Sequence, residues 1–423
     1  MRNWITRIGA LIAWMATGLA AAEKNEPGQN DPEPAMVWAR QVGTAADDFG
    51  KALAVDREGH CYVGGYTCGD LAAKNAGKQD AVVVAFDPAG QRLWMVQLGT
   101  PEDDAVASIA LAPDGSLYVG GTTRGRLGSS AFGGSDVFAA KLDRAGHMLW
   151  LRQYGTAADD SGARITCDAR GGVFLTGSTA GVMGGKALGG EDAFLLKIDA
   201  AGAPVWTCQW GTAATEGGSA VAADAEGSLY VTGSTTGSFD GSANAGSLDI
   251  FVSKIDRAGN LVWTKQFGTP APENGLNLLV DAARNIYVGG SSAGDFAGPQ
   301  SGGGDAVLLK LSGAGELVWK KQFGTTRWDG IHGLAFLAGA AERVVVGGCQ
   351  NWDQCQGFLR EFDPDGREQW QTRIPTDQVL CGTQIGVDGQ GNIYQTGGTH
   401  GPAFGEYQGV GTDIVVVKFS QKQ

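Results

Sequence analysis

A tryptophan that recurs about every 56 residues constrains the fold more than any other feature of this chain. The seven copies lie 51 to 57 residues apart, at Trp38, Trp94, Trp150, Trp206, Trp263, Trp319 and Trp370. A Gly-Thr pair follows each of the first six tryptophans five residues later, and Pro375-Thr376 takes its place in the seventh unit. One unit of this size cannot bury its own apolar faces, so such units are stable only when they pack against their neighbours.

Each unit contains four short runs that are typical of β-strands. The second unit, for example, contains DDAVASIALA, SLYVGGTT, DVFAAKLD and LWLRQYGT, which are separated by turns rich in Asp, Gly and Ser. Runs of this length with no helical period indicate strands, and Asp and Gly supply the turn chemistry between them. Seven such units predict an all-β, seven-bladed β-propeller with four-stranded blades over residues 38–423.

The phase of the repeat predicts how the propeller closes. The repeat region begins with a fourth strand, at residues 38–43, and ends with a third strand, at residues 413–419. We therefore expect the N-terminal strand to pair with the last blade as its outer strand, which removes an open sheet edge.

Residues 1–22 have the pattern of a signal peptide. Arg2 and Arg7 precede an apolar stretch, and small residues at Ala20 to Ala22 suit cleavage before Glu23. The alternative is a membrane anchor, but the stretch is shorter than the roughly 20 apolar residues that a span needs. Residues 23–37 read as a flexible leader. These segments predict a secreted, periplasmic or cell-surface protein with no membrane span after cleavage.

Composition excludes several classes of partner and protein. The formal net charge of −13 disfavours nucleic acid, which requires a basic surface. The chain is 43% hydrophobic and contains 12 tryptophans, so it has ample apolar surface to bury and is not a disordered chain.

The repeat unit resembles the SBBP-type β-propeller repeat of bacteria. The resemblance is carried by runs such as DAFLLKID at residues 192–199 and by the D-x-x-G-x-x-x-W element formed by Asp87, Gly90 and Trp94. It extends over residues 38–419. It implies a secreted or cell-surface protein whose activity is mostly undefined in the family, and therefore informs the fold more than the function.

Sequence motifs of catalysis are absent. The four histidines are scattered over different units, and no metalloprotease motif, nucleophile elbow or paired C-x-x-C occurs. We therefore expect a non-catalytic binding or scaffold propeller whose top face engages a protein, glycan or cell-envelope partner. The alternative is a polysaccharide hydrolase or lyase that uses acids at the channel mouth.

An acid stands five residues after the glycine of the Gly-Thr pair in six of the seven units, and Leu380 stands there in the seventh. We call these residues the mouth acids: Asp48, Asp104, Asp160, Glu216, Glu273 and Asp329. They form a candidate Ca²⁺ ring. The alternative, which we favour because the feature is repeated six times, is that each acid caps the backbone of its own turn. We accordingly expect no cofactor and no tight Ca²⁺ site.

The sixth unit departs from the repeat and is the candidate ligand site. Its connection after Gly348 is short and reads CQNWDQCQ. An aromatic pair beside acids suits a sugar or a cationic group, whereas irregular decay of the repeat explains the same residues without a ligand. The candidate ligand-binding residues are Trp328, Asp329, His332, Trp352 and Asp353. In the same connection Cys349 and Cys355 are candidates for a local disulfide.

Overall fold

The computed structural model describes residues 33–128, 132–239, 244–337, 342–351, 355–375, 379–404 and 411–420. Within these ranges, seven antiparallel four-stranded sheets contain 28 strands and there is no helix. The seven-bladed β-propeller with four-stranded blades is therefore confirmed. No helix among these residues is long and apolar enough to span a membrane. The predicted signal peptide lies outside the described residues.

Six blades are built from consecutive strands. Blade 1 contains β2 (Asp48–Val55), β3 (Cys61–Thr67), β4 (Asp80–Phe86) and β5 (Arg92–Leu98), and blade 2 contains β6 (Asp104–Leu111), β7 (Leu117–Thr123), β8 (Asp136–Leu142) and β9 (Met148–Tyr154). Blade 3 contains β10 (Asp160–Cys167), β11 (Val173–Thr179), β12 (Asp192–Ile198) and β13 (Pro204–Trp210), and blade 4 contains β14 (Glu216–Ala223), β15 (Leu229–Thr235), β16 (Asp249–Ile255) and β17 (Leu261–Phe267). Blade 5 contains β18 (Glu273–Val280), β19 (Ile286–Ser292), β20 (Asp305–Leu311) and β21 (Leu317–Phe323), and blade 6 contains β22 (Gly330–Phe336), β23 (Val344–Gln350), β24 (Gln356–Phe362) and β25 (Glu368–Arg373).

Blade 7 combines the two ends of the repeat region. It contains β26 (Val379–Val387), β27 (Ile393–His400), β28 (Thr412–Ser420) and the N-terminal strand β1 (Ala35–Val42). Strand β1 pairs antiparallel with β28 along its whole length, as the phase of the repeat predicts. The pairing of β1 begins before residue 38, since Ala35 and Met36 already pair with β28.

The repeated tryptophans join neighbouring blades. The indole Nε1 of Trp38 donates to the carbonyl oxygen of Pro88 in blade 1 at 3.0 Å, and that of Trp94 donates to Arg144 in blade 2 at 2.9 Å. Six of the seven rings also cover the glycine of the turn between the third and fourth strands of the next blade. A Cβ at Gly90 would collide with Trp38, and Gly90 has a φ of 78°. This position therefore requires glycine for its backbone conformation and for the close contact.

The mouth acids build the turn from the outer strand of one blade to the inner strand of the next. All six are completely buried. Asp104 accepts hydrogen bonds from the backbone nitrogen and the hydroxyl of Thr100, at 2.6 and 2.8 Å. The other five bond the threonine four residues earlier in the same way. The structure therefore uses these carboxylates as caps of their own turns.

A second carboxylate lies against each of these turns. It belongs to the residue that opens the third strand, and we call these residues the opening aspartates: Asp80, Asp136, Asp192, Asp249, Asp305 and Asp413. Each accepts a hydrogen bond from a glutamine of the outer strand, such as Gln97 Nε2 to Asp80 at 2.8 Å. A Cβ at Gly155 would collide with the carboxylates of both Asp136 and Asp160. The glycine of the Gly-Thr pair is thus required because two carboxylates approach its Cα.

The paired carboxylates share a buried environment that disfavours charge. The Oδ1 atoms of Asp80 and Asp104 are buried and accept no hydrogen bond. Burial raises the pKa of Asp104, and the nearby charge of Asp80 raises it further. Burial likewise raises the pKa of the carboxyl groups of Asp48, Asp160, Glu273, Asp329 and Asp413.

Replacing Trp38 with alanine should destabilise the protein, because the change removes a buried indole from the blade that closes the ring. Trp38 is 8% exposed, whereas its neighbour Val37 is 53% exposed. We expect Trp38→Ala to lower the free energy of unfolding by about 3 to 5 kcal/mol. Val37→Ala is the control and should change it by less than about 0.5 kcal/mol. Urea unfolding measures both, and equal stability of the two variants would contradict this account of closure.

The buried carboxylate pairs should make stability depend on pH. A group whose pKa is higher in the folded protein contributes stability at low pH, and the contribution is lost as the pH rises through the folded pKa. We therefore expect a larger free energy of unfolding at pH 5 than at pH 8. Asp104→Asn should reduce this difference, because it removes one buried carboxyl group that titrates. The amide oxygen of the variant still accepts from Thr100, so the turn is retained. The partly exposed Asp103 provides the control variant Asp103→Asn, which should retain the difference in stability between pH 5 and pH 8. A pH dependence unchanged by Asp104→Asn would refute the assignment.

Candidate functional site

The top face is the end of the propeller from which the turns into the inner strands and the connections from second to third strands emerge. Trp328 lies there, in the turn between β21 and β22, and is 37% exposed. Its backbone forms a bridge with Gly304, and its ring covers this glycine. A Cβ at Gly304 would lie 2.6 Å from the indole, so the absence of a side chain at this position allows the indole to pack on the backbone.

Asp329 belongs to the fold of this turn. It is completely buried, and its oxygens accept hydrogen bonds from Thr325 and from the backbone nitrogen of Asn351 at 3.1 Å. A ligand on the top face would therefore meet Trp328 and not the Asp329 carboxylate. Trp352 and Asp353 lie outside the described residues.

His332 is directed to the channel by its position in the inner strand. It occupies a β-bulge of β22, between Ile331 and Gly333. Its backbone oxygen accepts hydrogen bonds from Asn277 Nδ2 at 2.9 Å and from Gln384 Nε2 at 2.8 Å. Burial lowers the pKa of His332 to about 4, and the charge of Arg164 contributes, so the imidazole is neutral at pH 7. The predicted site is thus divided between the rim, where Trp328 lies, and the channel, where His332 lies.

The inner strands carry a repeated irregularity that sequence reasoning missed. The pairing of each first strand with the second shifts register in mid-strand. In six blades the shift leaves out one residue: Lys51, Ala107, Ser219, Leu276, His332 or Thr383. Such bulges re-aim side chains and are frequent next to functional sites. The only signal in the sequence was that Lys51 and His332 replace small or apolar residues of other units.

Blade 3 has a larger irregularity than the others. Its register shift leaves out both Gly162 and Ala163, which have φ angles of 103° and 46°. An alanine in the left-handed region is strained and is retained only when its surroundings impose that conformation. The next residue is Arg164. Its side chain lines a cavity of about 230 Å³ in the channel, together with the mid-strand residues of the other blades.

The two cysteines of the short connection are bonded to each other. Cys349 and Cys355 form a disulfide with Cα atoms 5.6 Å apart. A third sulfur, that of Cys381 on β26 of the next blade, lies within 4.8 Å of both. Burial raises the pKa of the Cys381 thiol to about 11, so it is protonated at pH 7. The sequence contains seven cysteines, an odd number, but only the packing of blade 7 on blade 6 places the Cys381 thiol beside this disulfide.

Within the part of the chain that the structure describes, two groups of three potential metal ligands come together. One is the sulfur cluster of Cys349, Cys355 and Cys381, in which the disulfide leaves only Cys381 able to act as a thiolate ligand. The other is Asp56, Glu58 and His60 at the turn between β2 and β3. Neither contains a mouth acid. The mouth acids are instead directed at the threonines of their own turns, as described above.

Comparison with known proteins agrees with this architecture. The profile of the SBBP family, described as "Beta-propeller repeat", matches residues 37–72 and 262–297. The regulatory protein FlaEY of Caulobacter vibrioides is 29% identical over 278 residues, which are 62% of this chain and 27% of that protein. This chain therefore spans only about a quarter of the length of that relative.

Solved structures share the fold at low identity. The polysaccharide lyase Uly1 superposes with a TM-score of 0.51 at 10% identity, over 93% of this chain and all of that one. The quinohemoprotein alcohol dehydrogenase of Comamonas testosteroni has a TM-score of 0.48 at 12% identity, over 91% of this chain and 76% of that one. At such identities the likeness concerns the fold alone.

The seven blades, the tryptophan and carboxylate turns that join them, and the two matched repeats lead to one assignment. This chain is a seven-bladed β-propeller in which two repeats, at residues 37–72 and 262–297, match the SBBP β-propeller repeat.

Proposed function

We propose that this protein is a non-catalytic binding propeller that engages a protein or glycan of the cell envelope through its top face. The observation that carries the proposal is the burial of all six mouth acids, each of which bonds the threonine of its own turn. A glycoside hydrolase requires two carboxyl groups that face the sugar. The mouth acids, which the alternative enzyme would use, are instead buried and hydrogen-bonded to the threonines of their own turns.

Trp328 is the residue through which we expect the top face to contact its partner. Buried aromatic side chains fill the interior of each blade, but this indole is partly exposed on the rim of blade 6. A flat aromatic ring that rests on Gly304 presents one face for stacking, which suits a sugar ring or an apolar side chain. Tryptophan is also the residue type that most often dominates the energy of binding at interfaces.

The similarity to a regulatory protein supports a role in interaction. FlaEY is named for regulation, and the match covers 62% of this chain. A stack of blades presents an extended surface that suits binding to a partner, which is consistent with this role.

The binding role can be tested with protein that begins at Glu23. A pull-down from envelope extracts of the source organism and a glycan array would identify the partner. We expect Trp328→Ala to weaken its binding about tenfold or more, as loss of an interface hot spot does. Val262, an apolar residue of similar exposure on the outer strand β17, supplies the matched control Val262→Ala, which should bind normally. Equal affinity of the two folded variants would remove Trp328 from the site.

The location that this role requires is tested separately. We expect the mature protein to begin at Glu23 and to be recovered from the periplasm, the cell surface or the medium. Intact-mass spectrometry of the fractionated protein measures the N-terminus. Recovery of the chain with Met1 intact from the cytosol would contradict both the cleavage and the proposed envelope partner.

A further inference from the structure

We infer that the central channel contains a binding site for a small oxyanion, with the guanidinium of Arg164 as its principal ligand. Phosphate, sulfate and a carboxylate group share the chemistry that this site would recognise. The site is separate from the Trp328 rim and does not rest on the function proposed for the top face.

The backbone of blade 3 is built so that Arg164 enters the channel. The two-residue irregularity at Gly162 and Ala163 is larger than that of any other blade, and pairing with β11 resumes at Arg164 itself. In the other blades the equivalent mid-strand position carries a small or neutral residue, such as Ala52, Ser108 or Ala220. The strained Ala163 is thus associated with the strand that places an arginine in the wall of this cavity.

The guanidinium has donors that the described protein does not use. Its Nη1 donates to the backbone oxygen of Ala107 at 2.8 Å, and this is its one hydrogen bond among the described residues. A guanidinium carries five N–H donors and remains charged in proteins. No acidic residue lines the cavity around Arg164, and within the described ranges it forms no ion pair. A buried cation without a counter-charge is unfavourable unless an anion accompanies it.

Two further basic groups lie near Arg164. Lys51 and His332 occupy the bulge position of their blades, and the pKa of each is lowered by burial and then by the charge of Arg164. Lys51 Nζ lies 4.8 Å from the centre of the Tyr66 ring. In a chain with a net charge of −13, this part of the channel therefore collects positive charge. An anion at Arg164 would relieve the repulsion between its guanidinium and the Lys51 ammonium, whereas His332 is neutral at pH 7.

The remaining walls limit the ligand to a small one. The amides of Asn277 and Gln384 bond each other and the backbone oxygen of His332, so they act as a fixed wall. The hydroxyls of Ser108 and Ser219 supply polar groups at the same level, and the cavity measures about 230 Å³. A guanidinium binds two oxygens of one oxyanion in parallel, a geometry that neither a halide nor a neutral ligand can match.

Isothermal titration with sodium phosphate tests the site, using protein that begins at Glu23 in sodium chloride of constant ionic strength. We expect saturable binding of one phosphate per chain. Arg164→Gln should weaken phosphate binding at least tenfold. Arg164→Lys keeps the positive charge but loses the two parallel N–H donors of the guanidinium, so its effect on binding should be intermediate. Arg152, which bonds its neighbouring carbonyl on outer strand β9, provides the control Arg152→Gln, which should bind normally. Sulfate and acetate titrations then distinguish a tetrahedral ion from a carboxylate.

A second variant covers the case in which loss of Arg164 prevents folding. Circular dichroism and thermal unfolding identify folded variants. Lys51→Gln removes a neighbouring charge without touching the Arg164 hydrogen bond, and we expect it to weaken phosphate binding about threefold or more. No saturable binding of phosphate, sulfate or acetate to the unaltered protein would overturn the inference. Equal binding by the folded Arg164→Gln or Lys51→Gln variant would also overturn it, because the ion would then bind elsewhere.

Discussion

The architecture depends on the buried carboxylate that lies at six of the seven junctions between blades. Asp104 and its equivalents are removed from water at the point where the chain passes from an outer strand to an inner strand. A buried carboxylate is tolerated only when donors surround it, and the Gly-Thr pair supplies these donors from the backbone and the hydroxyl. The threonine holds the mouth acid by hydrogen bonds, and the glycine, which has no side chain, leaves room for the opening aspartate beside it. The spacing from Gly-Thr to the acid therefore fixes the turn between blades, and this turn occurs at six of the seven junctions.

This use of acids has a direct consequence for function. An acidic propeller with carboxylates around its channel suggests metal binding or acid–base chemistry, yet six of these carboxylates are internal to the turns. The residues that differ from the repeat are more informative. Trp328 leaves the pattern at the rim, and Lys51, Arg164 and His332 leave it in the channel. In a repeat fold, an identical residue in every unit serves the assembly, and a single departure is available for a specific partner.

The channel illustrates how a regular fold produces an irregular surface. Each inner strand contains the same bulge, so each blade offers one mid-strand side chain to the axis. Alanine, serine and leucine at this position pack the narrow centre, whereas lysine and histidine bring basic groups to it. Blade 3 lengthens the bulge and adds a half-buried arginine. A few substitutions at equivalent positions are enough to change the electrostatics of the channel while the seven sheets remain alike.

The sequence by itself determined the number of blades, the four strands in each and the closure of β1 on β28, because these depend on local turn chemistry and on a period that is visible along the chain. It also indicated that Trp328 departs from the repeat. Only the tertiary structure decided that Lys51, Arg164 and His332 come together from three different blades, and that Cys381 lies beside the disulfide of the preceding blade. The physical reason is that radial packing brings equivalent positions of distant units to a common axis, and the bulge selects which side chain points there.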